Sequence, residues 1–214
     1  GDTSLPVDAA VSVWYNPSFR SEDFVIPGII AIVIMFFPPL VAAVTITKEK
    51  ETGSILNIYC SSVKKAEYIL GKMVPYIIIS SLNFLIFFLC TRYIFDVPMR
   101  GQLGPFLLIS VVYVACAIGL GLFVAVFVNT QIAAILITAV ATLTPSFLYS
   151  GFSVPLSNIG RDARGIAYSL PATHYIDIAR KVMIKGVGIG GIQSSVIALA
   201  GICLGLYAVS ILLF

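Results

Sequence analysis

KEKETGSILNIYCSSVKKAEYILGK, residues Lys48 to Lys72, holds five of the chain's 13 lysines and arginines and three of its 10 acids. It lies between two stretches with no charge at all: Phe24–Thr47, 24 residues, and Met73–Thr91, 19 residues. At 1.5 Å rise per residue a 24-residue helix is about 36 Å long, enough to cross the roughly 30 Å of a bilayer's hydrocarbon. Tyr68–Gly71 lengthens the second stretch, Lys72 near its water end can snorkel, and Arg92 closes its far end. Charges are costly in hydrocarbon, so Lys48–Lys72 reads as a polar connector between two membrane spans.

The same reasoning extends along the chain. Tyr93–Gly104 is a short, breaker-rich turn region, and Gly101–Gly160 then runs 60 positions without a charge. A single helix of that length would be about 90 Å long, so it must fold back. Asn129-Thr130-Gln131 is the polar cluster at which it turns. Residues 152–191 form a polar insert with Arg161, Asp162, Arg164, His174, Asp177, Arg180, Lys181 and Lys185. Within it Ala172–Lys185 has the spacing of an amphipathic helix lying at the membrane interface, and Gly186–Gly191 that of a turn. The expected fold is all-α, with five transmembrane helices at about 24–47, 68–92, 105–128, 132–150 and 193–214. Residues 1–23 read as the end of an extracytoplasmic segment, with a short strand around Val11, Val13 and Tyr15. Residues 24–214 read as one transmembrane domain, with its connector at 48–67 and an outer insert at 152–191.

Composition agrees. The chain is 59% hydrophobic and 11% charged, with mean hydropathy +1.02, whereas soluble domains carry roughly a quarter charged residues. A net charge of +3 is too small to suggest nucleic acid; basic residues beside spans serve topology and lipid headgroups. Cys60, Cys90, Cys116 and Cys203 are scattered, without a CxxC, and read as small packing residues. Gly119 and Gly121, and the Gly201-Ile-Cys-Leu-Gly205 pair, are the expected helix-packing sites. Pro38-Pro39 falls inside the first span, where a hinge and a static kink are both open readings.

The pattern of chemistry is one of absence. No span carries a charge at its centre, as ion-driven carriers usually do. There is no HExxH, GxSxG or P-loop, and His174 has no Cys or second His near it in sequence. No catalytic, cofactor or metal site is expected, so uphill work would need energy from another subunit. The connector is where such energy could enter. Lys48-Glu49-Lys50-Glu51 alternates in sign, fitting a helix end in water with local pairing. Gly53 permits a sharp change of direction. Ile55, Ile58 and Tyr59 share a helical face, which suits docking into a partner's groove and equally suits lying on headgroups or on the chain's own domain. Charge counting does not orient the spans, with five basic residues on the connector side and eight on the other.

Lys48-Glu49-Lys50-Glu51-Thr52-Gly53-Ser54, followed by Glu67-Tyr68-Ile69-Leu70-Gly71-Lys72-Met73-Val74-Pro75-Tyr76, resembles the signature of type-2 ABC exporter permeases. Trp14-Tyr15-Asn16-Pro17, Asn129-Thr130-Gln131-Ile132-Ala133-Ala134 and Leu170-Pro171-Ala172-Thr173-His174-Tyr175 are similar too. The likeness covers essentially the whole chain and includes the permease half of bacterial ribosome-associated ATPase-type fusions. It departs at Lys48, where arginine is usual, and at Ser62, where many relatives have proline. The resemblance implies a coupling helix at Lys48–Ser61 seated on an ATP-binding cassette subunit, which binds the ATP and magnesium. Lys48, Glu49, Lys50, Glu51, Gly53, Ser54, Ile55 and Tyr59 are the candidate coupling residues. It further implies a missing first span, a second permease subunit as homo- or heterodimer, a re-entrant outer insert and a bacterial inner-membrane location. The rivals are an ion-coupled secondary carrier and a non-transporting membrane scaffold.

Overall fold

Charge-free runs become long helices because backbone groups in hydrocarbon find no water to bond and must pair within the segment. The computed structural model of the chain describes residues 21–56, 60, 62–152 and 160–214. Its helices are α1 (Ser21–Glu51), α2 (Lys65–Tyr93), α3 (Leu103–Phe127), α4 (Gln131–Tyr149), α5 (Arg161–Ser169), α6 (Pro171–Met183) and α7 (Gln193–Leu213), with a 3-10 turn at Ile189–Gly191. Among the described residues there is no strand; the one expected around Val11–Tyr15 lies outside them. Five helices, α1 to α4 and α7, are long and apolar enough to cross a membrane. Leu82 and Ile86 on α2, Leu136 and Val140 on α4, and Leu204 and Leu212 on α7 are exposed. A soluble monomer rarely shows apolar surface of that extent, whereas lipid accepts it. The protein is an integral membrane protein.

α1 is the axis of the bundle, packed against α2, α3, α4 and α6. It runs unbroken through Pro27, Pro38 and Pro39. Pro38 and Pro39 have no N–H, so the helix is held there from outside by close packing. Gly121 of α3 supplies that contact: a Cβ at this position would lie 2.0 Å from the Pro39 carbonyl oxygen. Gly119, two residues away, lies against the ring of Tyr207 on α7. Among the described residues, nothing lies within 4 Å of where a Cβ on Gly201 or Gly205 would sit. They lie on an outward face of α7, where a packing seam needs a neighbour from outside this chain. Four hydroxyls inside the spans are satisfied by back-bonding along their own helix: Thr47 to Ala43, Thr91 to Phe87, Ser110 to Phe106 and Thr142 to Thr138. Of the four cysteines, which are all free, Cys116 is buried and Cys60 is exposed.

The end of the bundle remote from the connector is closed by α6. The expected interface-lying helix is present over Pro171–Met183, but no residue of it is fully exposed and nine are buried. Its apolar face meets protein instead of headgroups. Tyr175 stacks on Tyr113 at 4.0 Å between ring centroids and shares a 2.8 Å hydrogen bond with Ser110, and the Tyr113 hydroxyl donates to the Ala31 carbonyl at 2.6 Å. The polar side is tied down as well. Asp177 accepts from Lys181 at 2.8 Å and from Ser195 of α7 at 2.9 Å, and Arg180 donates to the Gly151 carbonyl at 2.8 Å. Burial pulls the Arg180 guanidinium down to about pKa 10, against the opposing pull of Asp177. Amphipathic spacing alone is the same for a helix on lipid and a helix packed among spans, so the spacing does not distinguish the two.

Candidate functional site at the connector end

α1 continues past its apolar run for one more turn, and that turn carries the alternating charges. They do not pair with one another; each of three consecutive residues holds a different helix. Glu49 forms an ion pair with Lys72 of α2 and accepts a short hydrogen bond from the Tyr68 hydroxyl, with the Lys72 ammonium 5.4 Å from the Tyr68 ring centroid. The Lys50 ammonium donates to the carbonyls of Ala125 at 2.7 Å, Val126 at 2.9 Å and Val128 at 3.5 Å, and lies 5.8 Å from the Phe214 ring centroid. Those carbonyls end α3, whose last turn has no intrahelical donors left and carries the negative end of the helix dipole. One Glu51 oxygen accepts both the backbone N–H of Gln131 at 2.9 Å and its side-chain amide at 3.0 Å. Gln131 is the first residue of α4, whose N-cap Thr130 accepts from Ala133 at 3.3 Å. Lys50 and Glu51 thus meet opposite dipole ends on either side of the short α3–α4 turn, each with the matching sign. The turn falls at the expected Asn129-Thr130-Gln131 cluster.

The expectation of local pairing along Lys48–Glu51 is therefore corrected. Alternating signs fit i,i+4 pairs on a free helix end, but here the neighbouring helix ends compete and win, because their unpaired backbone groups have no intrahelical partner. Lys48 and Glu51 are exposed, whereas Glu49 and Lys50 are half-buried. Gly53 adopts φ +73°, a left-handed conformation that turns the chain sharply after α1. Thr52 and Ser54 share a 2.9 Å hydroxyl contact, and Ser54 donates to the Glu49 carbonyl at 3.4 Å. Ile55 is buried at 8% exposure while Leu56 is 63% exposed. The outward apolar side chains among the described residues of the connector are accordingly Leu56 and Val63, and Ile55, expected as a docking contact, is buried within this chain. Tyr59 and Ile58 lie outside the described residues. α2 begins at Lys65, where the Glu67 carboxylate accepts from the Lys64 backbone N–H at 3.2 Å.

Tyr68, Lys72 and Gln131 are the partners that sequence reasoning missed. In the sequence Lys72 reads as a snorkelling cation and Gln131 as a turn residue, both within the family-like stretches, and neither as a partner of the end of α1. Two grooves flank α1 above this end. One of about 570 Å³ lies between α1 and α4, lined by Ile29, Ile32, Val33, Leu143, Phe147 and others. One of about 350 Å³ lies between α1 and α2, with Tyr76, Ser80 and Asn83 on its α2 wall. Among the described residues no cluster of His, Cys, Asp and Glu is arranged to hold a metal ion.

The described residues form a five-span helical membrane domain whose charged elbow is bonded into three of its own spans. The family profile described as ABC-2 family transporter protein matches residues 1–212, and the chain belongs to that family. Among curated relatives, the probable multidrug ABC transporter permease YbhS of Escherichia coli (strain K12) is 26% identical over 187 residues, covering 87% of this chain and 50% of that protein. The probable multidrug ABC transporter permease YbhR of the same organism is 24% identical over 188 residues, covering 88% of this chain and 51% of that protein. ABC transporter G family member 20 of Dictyostelium discoideum is 25% identical over 178 residues, covering 83% and 24%. The chain spans about half the length of the first two relatives.

Proposed function

We propose that this chain is the permease part of an ATP-driven exporter of the bacterial inner membrane. It works with a second permease subunit and is powered by an ATP-binding cassette subunit that binds the ATP and magnesium and seats on the 48–67 connector as on a coupling helix. The cargo path then involves α1 and α4, whose shared groove is lined almost wholly by apolar side chains, a surface suited to hydrophobic or amphipathic molecules. The family match and the printed names of the relatives support transport. The observation that carries the coupling is the three-way hold of Glu49, Lys50 and Glu51 on α2, α3 and α4. A push on the connector reaches three spans through direct bonds, without a charge in the hydrocarbon. A ligand or nucleotide can shift the permease between two shapes only by binding them unequally, and the connector is the described segment through which an outside subunit could impose that difference.

The test is Gly53→Pro in the assembled complex. Proline's φ near −65° is incompatible with the +73° at this position. Cargo-stimulated ATP hydrolysis is expected to fall to the basal rate while the subunits stay associated. Unchanged stimulation removes the connector from the mechanism.

A further inference from the structure

The three grips at the end of α1 are not equal. Lys50 is half-buried and bonds two carbonyls of the last turn of α3 and that of its C-cap, Val128. Glu51 is exposed and holds α4 through a single oxygen on a single residue, Gln131. Exposed polar contacts exchange readily with water, so α1 and α3 are bound together at this end while α4 is held by the contact easiest to release. α4 also differs from the other spans in what it hides. It packs mainly on α1, and its buried face is Ala134, Thr138, Thr142 and Ser146, small or hydroxylic at every step. Its exposed side carries Ile135, Leu136, Val140 and Leu143. The Thr138 and Ser146 hydroxyls, both fully buried, have no hydrogen-bond partner among the described residues. A buried hydroxyl without a partner is costly and gains a bond as soon as water or a polar ligand reaches it. The α1–α4 seam is thus an interface that loses little when it is wetted.

We propose that the Glu51–Gln131 contact is a releasable latch holding α4 against α1, and that its opening exposes the Thr138–Thr142–Ser146 face to water and cargo. The cargo class this face suits is amphipathic, with a hydrogen-bonding group to meet the hydroxyls and apolar bulk to meet the adjoining groove. Glu51 acts as a positioning residue: it touches no cargo and sets which face of α4 is available. The source of the pull that opens the latch rests on the permease reading above; the latch itself does not.

The experiment uses the full-length transporter with its ATP-binding partner, in membranes, with Cys60, Cys90, Cys116 and Cys203 replaced. Thr138→Cys reports the seam and Leu136→Cys the lipid face, each titrated with a water-soluble methanethiosulfonate reagent. With the latch intact, Thr138→Cys is expected to react slowly. Glu51→Ala is expected to raise its rate about tenfold without nucleotide, the change in open population when an ordinary polar contact is lost, and to leave Leu136→Cys unchanged. A non-hydrolysable ATP analogue is expected to do the same with Glu51 present. Bridging Glu51→Cys to Gln131→Cys with a bis-maleimide is expected to cancel the nucleotide effect. The proposal is overturned if Thr138→Cys stays protected in both Glu51→Ala and Gln131→Ala, or if the two reporters speed up equally, which is general loosening. If Glu51→Ala opens the seam and nucleotide does not, the latch stands and the ATP-driven reading fails.

Discussion

Gly121→Ala is the substitution for which the structure makes the sharpest demand. The new Cβ would sit 2.0 Å from the Pro39 carbonyl oxygen and 2.7 Å from the Pro39 carbonyl carbon and Cα. Ordinary non-bonded contact is about 3.5 Å, so α1 and α3 must part by more than an ångström at the point where two consecutive prolines leave α1 dependent on its neighbour. The atoms in the way are backbone, which cannot rotate aside. Overpacking of this kind costs about 3 kcal/mol, more than a hundredfold in the folded-to-unfolded ratio. The control is Gly201→Ala, where a Cβ would meet nothing within 4 Å among the described residues. There the same methyl meets no obstacle and gains the helix preference of Ala over Gly, about 1 kcal/mol. Reversible unfolding in mixed micelles by sodium dodecyl sulfate, followed by far-ultraviolet circular dichroism, compares the two directly. Opposite signs are expected. Equal effects, or a Gly121→Ala protein as stable as its parent, would refute the close α1–α3 approach and with it the account of how the proline pair is supported.

Three further outcomes follow from the same contacts. Lys50→Met keeps the aliphatic stem and removes the ammonium from the end of α3, so it is expected to cost about 1–2 kcal/mol in the same assay, whereas Lys48→Met, at an exposed side chain, is expected to change nothing measurable. Glu49→Gln and Lys72→Met, combined in a double-mutant cycle, are expected to show a coupling of about 1 kcal/mol; purely additive effects would mean that the ion pair between α1 and α2 carries no energy. Tyr113→Phe removes the donor to the Ala31 carbonyl and is expected to cost about 1 kcal/mol, with Tyr175→Phe, which loses the bond to Ser110, similar in size; a neutral result in both would argue against α6 as a bonded closure of the bundle.

The five spans were legible because charge in hydrocarbon is penalised so heavily that its absence over 19 to 60 positions leaves few alternatives. The turn at Asn129-Thr130-Gln131 was legible for the same reason, since a 60-residue charge-free run has to double back somewhere polar. What could not be read was which faces meet. Gly119, Gly121, Gly201 and Gly205 look alike in sequence, yet only the first two are turned toward a neighbour, because facing depends on how whole helices are rotated in the bundle. The alternating Lys48–Glu51 run hid its partners in the same way: local pairing explained it fully until helix ends 75 to 80 residues away arrived beside it. Ala172–Lys185 showed its amphipathic spacing plainly, but the spacing does not say whether lipid or protein covers the apolar side. The sequence also singled out the charged connector between the first two spans, and the structure adds that Glu49, Lys50 and Glu51 are bonded to α2, α3 and α4.

The account turns on an outside subunit gripping the connector, and one measurement bears on that most directly. A photo-crosslinking residue is placed at Leu56, exposed on the connector, and separately at Tyr93, exposed at the opposite end of α2, in the full-length protein in native membranes. The captured chains are then identified by mass spectrometry. An ATP-binding cassette subunit captured from Leu56 and not from Tyr93 is the predicted result. Capture of that subunit from Tyr93, or its absence from Leu56 in a complex that hydrolyses ATP, would contradict the account.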